Sequence, residues 1–235
     1  MKSYFFLVGI LILALWSTAC EDDSAATNTR TGTVPRAQPT GEQNPEPGFF
    51  ETYEATDRGI WQRPDLVIDF LGNLEGKTVA DIGAGTGFIT KRIVPNAGKV
   101  IAIDIDQRFI DYLDSLKTEF PAELQDRFET RLGRPDNPML NDEEVDEIMI
   151  INTYMYIENR VDYLRTIKRG LKPGGKLLII DFKKKKTPVG PPSEIRTPLY
   201  RVEEELTQAG FYNISSNDSA LSYQYIVMAE KAPLQ

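Results

Sequence analysis

From about residue 50 onward, apolar and polar positions follow two alternating periods. "RPDLVIDFLGNL" gathers its apolar residues on one helical face, with Pro64 in the first turn and Asp65 near the positive end of the helix dipole. "KTVADIG" is a short apolar run that predicts a strand, and "TGFITKRIV" after it has helical spacing. "GKVIAIDID" is continuously apolar, as expected of a strand covered on both faces. The pattern then predicts a helix over "QRFIDYLDSLKTEF", strands over "RFETRLG" and "VDEIMIIN", and a helix over "NRVDYLRTIKRGL". A strand over "PGGKLLIIDF", a helix over "RVEEELTQAGF" stopped by Gly210, and a last strand over "YQYIVMAEK" complete it. Strands separated by helical crossovers predict an α/β fold with a doubly wound, mostly parallel sheet. Ligands of such sheets sit at the carboxyl ends of the strands, near the point where strand order reverses.

The first 48 residues break this rhythm. Lys2 gives a positive start, and the run from Tyr4 to Trp16 is uncharged and mostly apolar. It falls short of the ~20 apolar residues a spanning helix needs, and small residues follow it, so residues 1–19 have the pattern of a signal peptide. Cys20 comes directly after Ser17, Thr18 and Ala19, an arrangement that resembles the lipobox of bacterial lipoproteins, with Ser17 where that family usually carries Leu. The resemblance implies cleavage before Cys20, lipidation of Cys20 and anchoring to a membrane, on the periplasmic side or cell surface. Residues 20–48 are rich in Gly and Pro, hold Val34 as their only larger aliphatic residue, and are expected to be a tether. Residues 49–235 are then the folded domain.

Composition narrows the chemistry. At 235 residues and 41% hydrophobic content, one globular domain is expected. The net charge of -8 argues against a nucleic-acid partner, which needs a basic footprint. There is no histidine and a single cysteine. Histidine bases, histidine-dependent triads and His or Cys metal clusters are thereby excluded, and no metal site is expected. Chemistry must run on carboxylates, lysines, tyrosines, backbone groups or a cofactor.

Between the first predicted strand and its helix, Asp81, Gly83, Gly85 and Gly87 form D-x-G-x-G-x-G. Glycines are required where the backbone turns with positive φ or where a ligand touches main chain, and the strand–loop–helix context raises the weight of the motif. Asp104 ends the second strand, where a carboxylate can accept hydrogen bonds from both hydroxyls of a ribose. A dinucleotide-binding fingerprint, G-x-G-x-x-G, would need glycine at position 88, which is Phe88. Asp81 would also repel a pyrophosphate at the helix start, whereas an acid suits a ligand with a cationic amino-acid end. A dehydrogenase therefore ranks low.

These motifs resemble those of the class I S-adenosylmethionine (SAM) dependent methyltransferases. "VADIGAGTGFIT" is similar to their first motif, "VIAIDID" to their ribose-binding strand, "VDEIMIIN" to their fourth strand and "LKPGGKLLIIDF" to the approach to their fifth. The likeness spans about residues 50 to 231 and is nearest in style to the ubiquinone and menaquinone biosynthesis methyltransferases. It implies a Rossmann-like, seven-stranded sheet and SAM as cofactor. Asp81, Gly83, Ala84, Gly85 and Gly87 would cradle its methionine part, Asp104 its ribose and Ile105 its adenine. Asn152 would contribute a backbone or side-chain contact beside the methyl group. An acid often meets the adenine amine after the third strand; here Arg134 stands in that place, with Asp136 two residues on.

Methyl transfer from a sulfonium is chiefly a matter of positioning, so the lack of histidine does not count against it. The acceptor is expected to be a small molecule. The catalytic groups stay open: Tyr154 and Tyr156, after the fourth strand, could hold a substrate or pack in the core, and Asp181 is a candidate base by position alone. Lys183 to Lys186 is a basic run that is either a solvated loop or a site for an anionic substrate or headgroup. Arg58 and Trp61 could form a lid. One tension remains, because SAM is made in the cytoplasm and the signal pattern implies export. The alternatives are a non-catalytic exported binding protein on the same fold, or a cytoplasmic enzyme.

Overall fold

The computed structural model describes residues 58–233. The expected signal peptide, Cys20, the tether and the first residues of the domain lie outside the described residues. Two short helices open the fold, α1 (Arg58–Gln62) and α2 (Pro64–Leu71). Pro64 starts α2, where its missing N–H removes a donor that would have no helical partner, and Gly72 caps the end with its N–H on the carbonyls of Ile68 and Asp69. The parallel core follows: β1 (Thr78–Ile82), α3 (Thr90–Ile93), β2 (Lys99–Asp104), α4 (Gln107–Lys117), α5 (Ala122–Gln125), β3 (Phe128–Leu132) and β4 (Val145–Ile151). The chain closes with α6 (Arg160–Gly170), β5 (Leu171–Phe182), α7 (Leu199–Ala209), β6 (Tyr212–Asn217) and β7 (Gln224–Glu230).

The strands form one seven-stranded sheet in the order β3-β2-β1-β4-β5-β7-β6. Neighbours from β3 to β5 are parallel, while β7 runs antiparallel to both β5 and β6. Strand order reverses between β1 and β4, so the mouth of the fold opens above the ends of these two strands. Side-chain alternation feeds two separate cores. Ala80, Ile101, Ile148 and Ile179 face one side with Leu164 and Ile167 of α6 and Leu206 of α7. Val79, Val100, Met149 and Ile180 face the other with Val67 of α2, Ile93 of α3 and Leu113 of α4.

Two local expectations need correcting. The helix expected from Thr86 begins only at Thr90, because Gly85 and Gly87 hold left-handed φ values of 55° and 72° and the residues between form turns. The hydrophobic pattern also missed β6: its alternation is largely exposed, as befits an edge strand paired only with β7.

Candidate active site

The glycine loop hangs from the end of β1 and is tied to the neighbouring strand. The N–H groups of Gly83 and Ala84 both donate to the Ile103 carbonyl, at 2.8 and 3.0 Å. Gly83 has φ 78°, and a Cβ there would fall 2.2 Å from Thr153 Oγ1, so only glycine lets the β1 loop touch the β4 loop. Gly85 differs: its φ is 55° and a Cβ would meet nothing within 4 Å. The backbone is bare toward open space at that point. A Cβ on Gly87 would instead run into Leu113 of α4 at 2.8 Å, so that glycine serves helix packing.

Two acids face this loop. Asp104, at the end of β2, accepts from Gly85 N–H at 2.9 Å through Oδ2 and from Asp106 N–H at 3.1 Å through Oδ1. Burial raises its carboxyl above the usual range, and the backbone N–H groups of Asp106, Gly85 and Ile105 partly offset this. Asp81 is buried on the last turn of β1 and accepts from Thr90 Oγ1 at 2.6 Å. Desolvation pushes it from 3.8 up to about 6; Thr90 and the charge of Arg58 act the other way. A nearby cation would complete the compensation.

Ile105 is 52% exposed just past β2, and Leu132, paired in register with Asp104 at the end of β3, is 47% exposed. Two apolar side chains left open at adjacent strand ends suit a flat ring. Leu132 was not legible beforehand, because its partner across the sheet sets its place. Arg134 and Asp136 are exposed and belong to a tight turn in which the Arg134 N–H and carbonyl both pair with Asn137.

At the end of β4, Asn152 takes a left-handed φ of 58° and its N–H donates to the Ile180 carbonyl at 2.8 Å. Its side-chain oxygen accepts from Gln224 Nε2 of β7. Of the contacts expected from Asn152, the side-chain oxygen is thus engaged within the protein.

The catalytic candidates are corrected by their placement. Tyr154 is wholly buried, and its hydroxyl donates to Glu205 Oε2 at 2.7 Å, where Arg160 Nε also donates at 2.8 Å. Burial and the Glu205 carboxylate push its pKa far up, so it neither faces a ligand nor yields a proton. Asp181 is wholly buried too, accepting from Met155 N–H at 2.9 Å and Phe182 N–H at 2.7 Å. Burial carries its carboxyl up to about 7, yet both oxygens hold backbone, so it braces the β4–α6 connection and faces no ligand. Tyr156, by contrast, is 54% exposed.

The segment after β5 is a built wall rather than a loose basic loop. Lys183 Nζ is drawn inward to the carbonyls of Asp218 and Leu221, leaving Lys184, Lys185 and Lys186 exposed. Arg196, 3% exposed, donates to the carbonyls of Lys183, Lys185, Val189 and Pro191 and lies 5.0 Å over the Phe182 ring. Trp61 of α1 meets Phe182 with ring centroids 5.4 Å apart, and Arg58 lies 4.3 Å over Phe88 while its Nε donates to Gln62. Of the two residues expected to form a lid, Trp61 thus lies against Phe182 and Arg58 against Phe88. A groove of about 750 Å³ lined by Gly72, Gly76, Gly98 and Arg127 lies at the amino-terminal edge instead, away from the ligand edge of such sheets.

Comparison with known proteins agrees with this geometry. Residues 80–179 match the family model described as a methyltransferase domain. The chain is 27% identical over 71% of its length to the demethylmenaquinone methyltransferase of Tropheryma whipplei, of which it covers 63%. It is 28% identical, again over 71%, to the ubiquinone/menaquinone biosynthesis C-methyltransferase UbiE of Pseudomonas fluorescens, of which it covers 62%. The chain thus spans somewhat under two thirds of the length of these relatives. Among solved structures it resembles a SAM-dependent methyltransferase from Aquifex aeolicus, with a TM-score of 0.71, 26% identity, and cover of 80% of this chain and 99% of that one. The fold also matches the Haemonchus contortus phosphoethanolamine N-methyltransferase 2, solved with S-adenosylhomocysteine, with a TM-score of 0.60 and 16% identity over 74% of this chain and 53% of that one. Residues 80–179 thus resemble a methyltransferase domain, and the seven-stranded sheet that carries them has the Rossmann-like fold of solved SAM-dependent methyltransferases.

Proposed function

We propose that the chain is a SAM-dependent methyltransferase acting on a small-molecule acceptor. The observation that carries this is the bare backbone at Gly85, left-handed and open, with Asp104 bonded to its N–H at the end of the next strand. The residues suit the cofactor. Asp104 would accept from the ribose hydroxyls, Ile105 and Leu132 would face the adenine, and Gly83, Ala84, Gly85 and Gly87 would lie along the methionine part. Asp81, whose carboxyl is raised by burial, would gain from the cationic amino group.

When bound, SAM supplies an activated methyl group for in-line displacement. The protein's own part is orientation and exclusion of water. Asn152, locked by Gln224 and Ile180, presents a fixed carbonyl at the end of β4. Trp61, Phe182 and the segment held by Arg196 wall the acceptor side. With Tyr154 and Asp181 buried, no general base is assigned. The relatives named for quinone biosynthesis support an acceptor with a large apolar part.

Calorimetric titration of the full chain with SAM and S-adenosylhomocysteine tests this. Asp104→Ala removes hydrogen bonds to a charged group and is expected to weaken binding about 10- to 100-fold. A well-folded wild-type chain that binds neither compound would end the proposal.

We also propose export and anchoring through Cys20, supported by the apolar run and small residues that precede this single cysteine. A fatty-acid precursor is expected to label the wild type and not Cys20→Ser; equal labelling would refute it.

A further inference from the structure

Residues 183–200, which follow β5 and enter α7, hold five basic residues and a single acid, Glu194, in a chain whose net charge is -8. Lys183 and Arg196 are turned inward onto backbone carbonyls. Lys184, Lys185 and Lys186 are exposed, and among the described residues none of the three is paired with a carboxylate. Adjacent like charges repel, so such a run is stabilised by an anionic partner.

The run is held in shape. Arg196 Nη1 donates to the carbonyls of Lys183 and Lys185 at 3.0 and 2.9 Å, and Lys184 Nζ donates to the Glu194 carbonyl at 3.4 Å. That last contact sets Ile195, 41% exposed, beside the lysines. Tyr200, 59% exposed, follows on the same segment. Trp61 brings α1 against Phe182 at the end of β5, and Ile60, just before it, is 79% exposed. The 57 residues ahead of α1, Cys20 among them, therefore join the domain at this corner.

Exposed aliphatic and tyrosine side chains beside unpaired lysines suit a bilayer interface. It takes up the apolar groups at headgroup depth, while the lysines meet anionic headgroups. Nucleic acid needs a wider basic footprint, and the rest of this acidic chain would repel it. A small free anion would use the lysines and leave Ile60, Ile195 and Tyr200 without a role. We propose that Lys184, Lys185 and Lys186, with Ile60, Ile195 and Tyr200, dock the domain on an anionic lipid surface and turn the carboxyl edge of the sheet toward the headgroups. This docking requires neither lipidation of Cys20 nor methyl transfer.

The test follows the full chain on vesicles of phosphatidylcholine alone and with roughly one-third phosphatidylglycerol, by sedimentation and by lysine acetylation read by mass spectrometry. Anionic vesicles are expected to bind more tightly, with an advantage that shrinks as salt is raised. Replacing all three lysines by Gln is expected to weaken anionic binding about fivefold per lysine, on the order of 100-fold in all, at unchanged Tm. Ile195→Ser should weaken it further. Anionic vesicles should shield the three lysines from acetylation and leave Lys117, at the end of α4, reactive. Cys20→Ser should keep both results, so failure of the lipid anchor leaves the docking face standing. Equal sedimentation of the triple variant and the wild type would overturn the proposal, as would shielding by neutral vesicles or none at all. Equal shielding by glycerol phosphate or by polyglutamate would also overturn it, making the run a small-anion site or a protein contact.

Discussion

Replacing Gly85 with alanine separates a ligand-binding glycine from a merely structural one. The backbone there has φ 55°, and forcing an L-residue into the left-handed region costs about 1–2 kcal/mol. The added Cβ meets nothing within 4 Å, so no packing term adds to that. At about 2–4 °C per kcal/mol for a domain of this size, Tm should fall by roughly 2–8 °C and the protein should stay folded. The new methyl group would stand in the space bordered by Asp104, whose Oδ2 takes the Gly85 N–H at 2.9 Å. Overpacking of a filled site costs about 1–3 kcal/mol, or about 5- to 150-fold in Kd for S-adenosylhomocysteine. Calorimetry gives the affinity and differential scanning fluorimetry the Tm. Gly83→Ala is the contrasting control, because its Cβ would fall 2.2 Å from Thr153 Oγ1 and should destabilise more. If Gly85→Ala loses the expected few degrees but binds with full affinity, no ligand lies over that backbone and the site is misplaced.

Two further outcomes follow from buried groups. Tyr154→Phe removes one hydrogen bond from Glu205, which Arg160 still holds, and should cost about 1–2 kcal/mol in urea unfolding with unchanged S-adenosylhomocysteine affinity; weakened binding at unchanged stability would refute its core role. Asp181 has its folded-state carboxyl raised from 3.8 to about 7, so between these values the folded chain holds a proton the unfolded chain has lost. Its contribution is full below about pH 3.8 and is lost as pH rises through about 7, and Asp181→Asn should flatten that fall in the urea midpoint; an unchanged pH profile in the variant would remove Asp181 as its source.

The chain's local choices were legible in its sequence. Largely apolar runs marked β1, β2, β4, β5 and β7, because a strand buried on both faces admits few polar positions, and those mostly near its ends. Gly210, left-handed at φ 80°, ends α7 where the pattern said it would. The D-x-G-x-G-x-G loop followed from residue types alone, since left-handed backbone selects glycine. What the tertiary structure decided involves partners far apart in the chain. The sequence left Tyr154 open between substrate contact and core packing, and Glu205, on a distant helix, takes its hydroxyl into the core. Lys183 looked like part of a solvated run until the carbonyls of Asp218 and Leu221 drew it inward. Period and turn chemistry act over a few residues and are written in the sequence. Burial and hydrogen-bond pairing depend on which surfaces meet, and packing alone sets that.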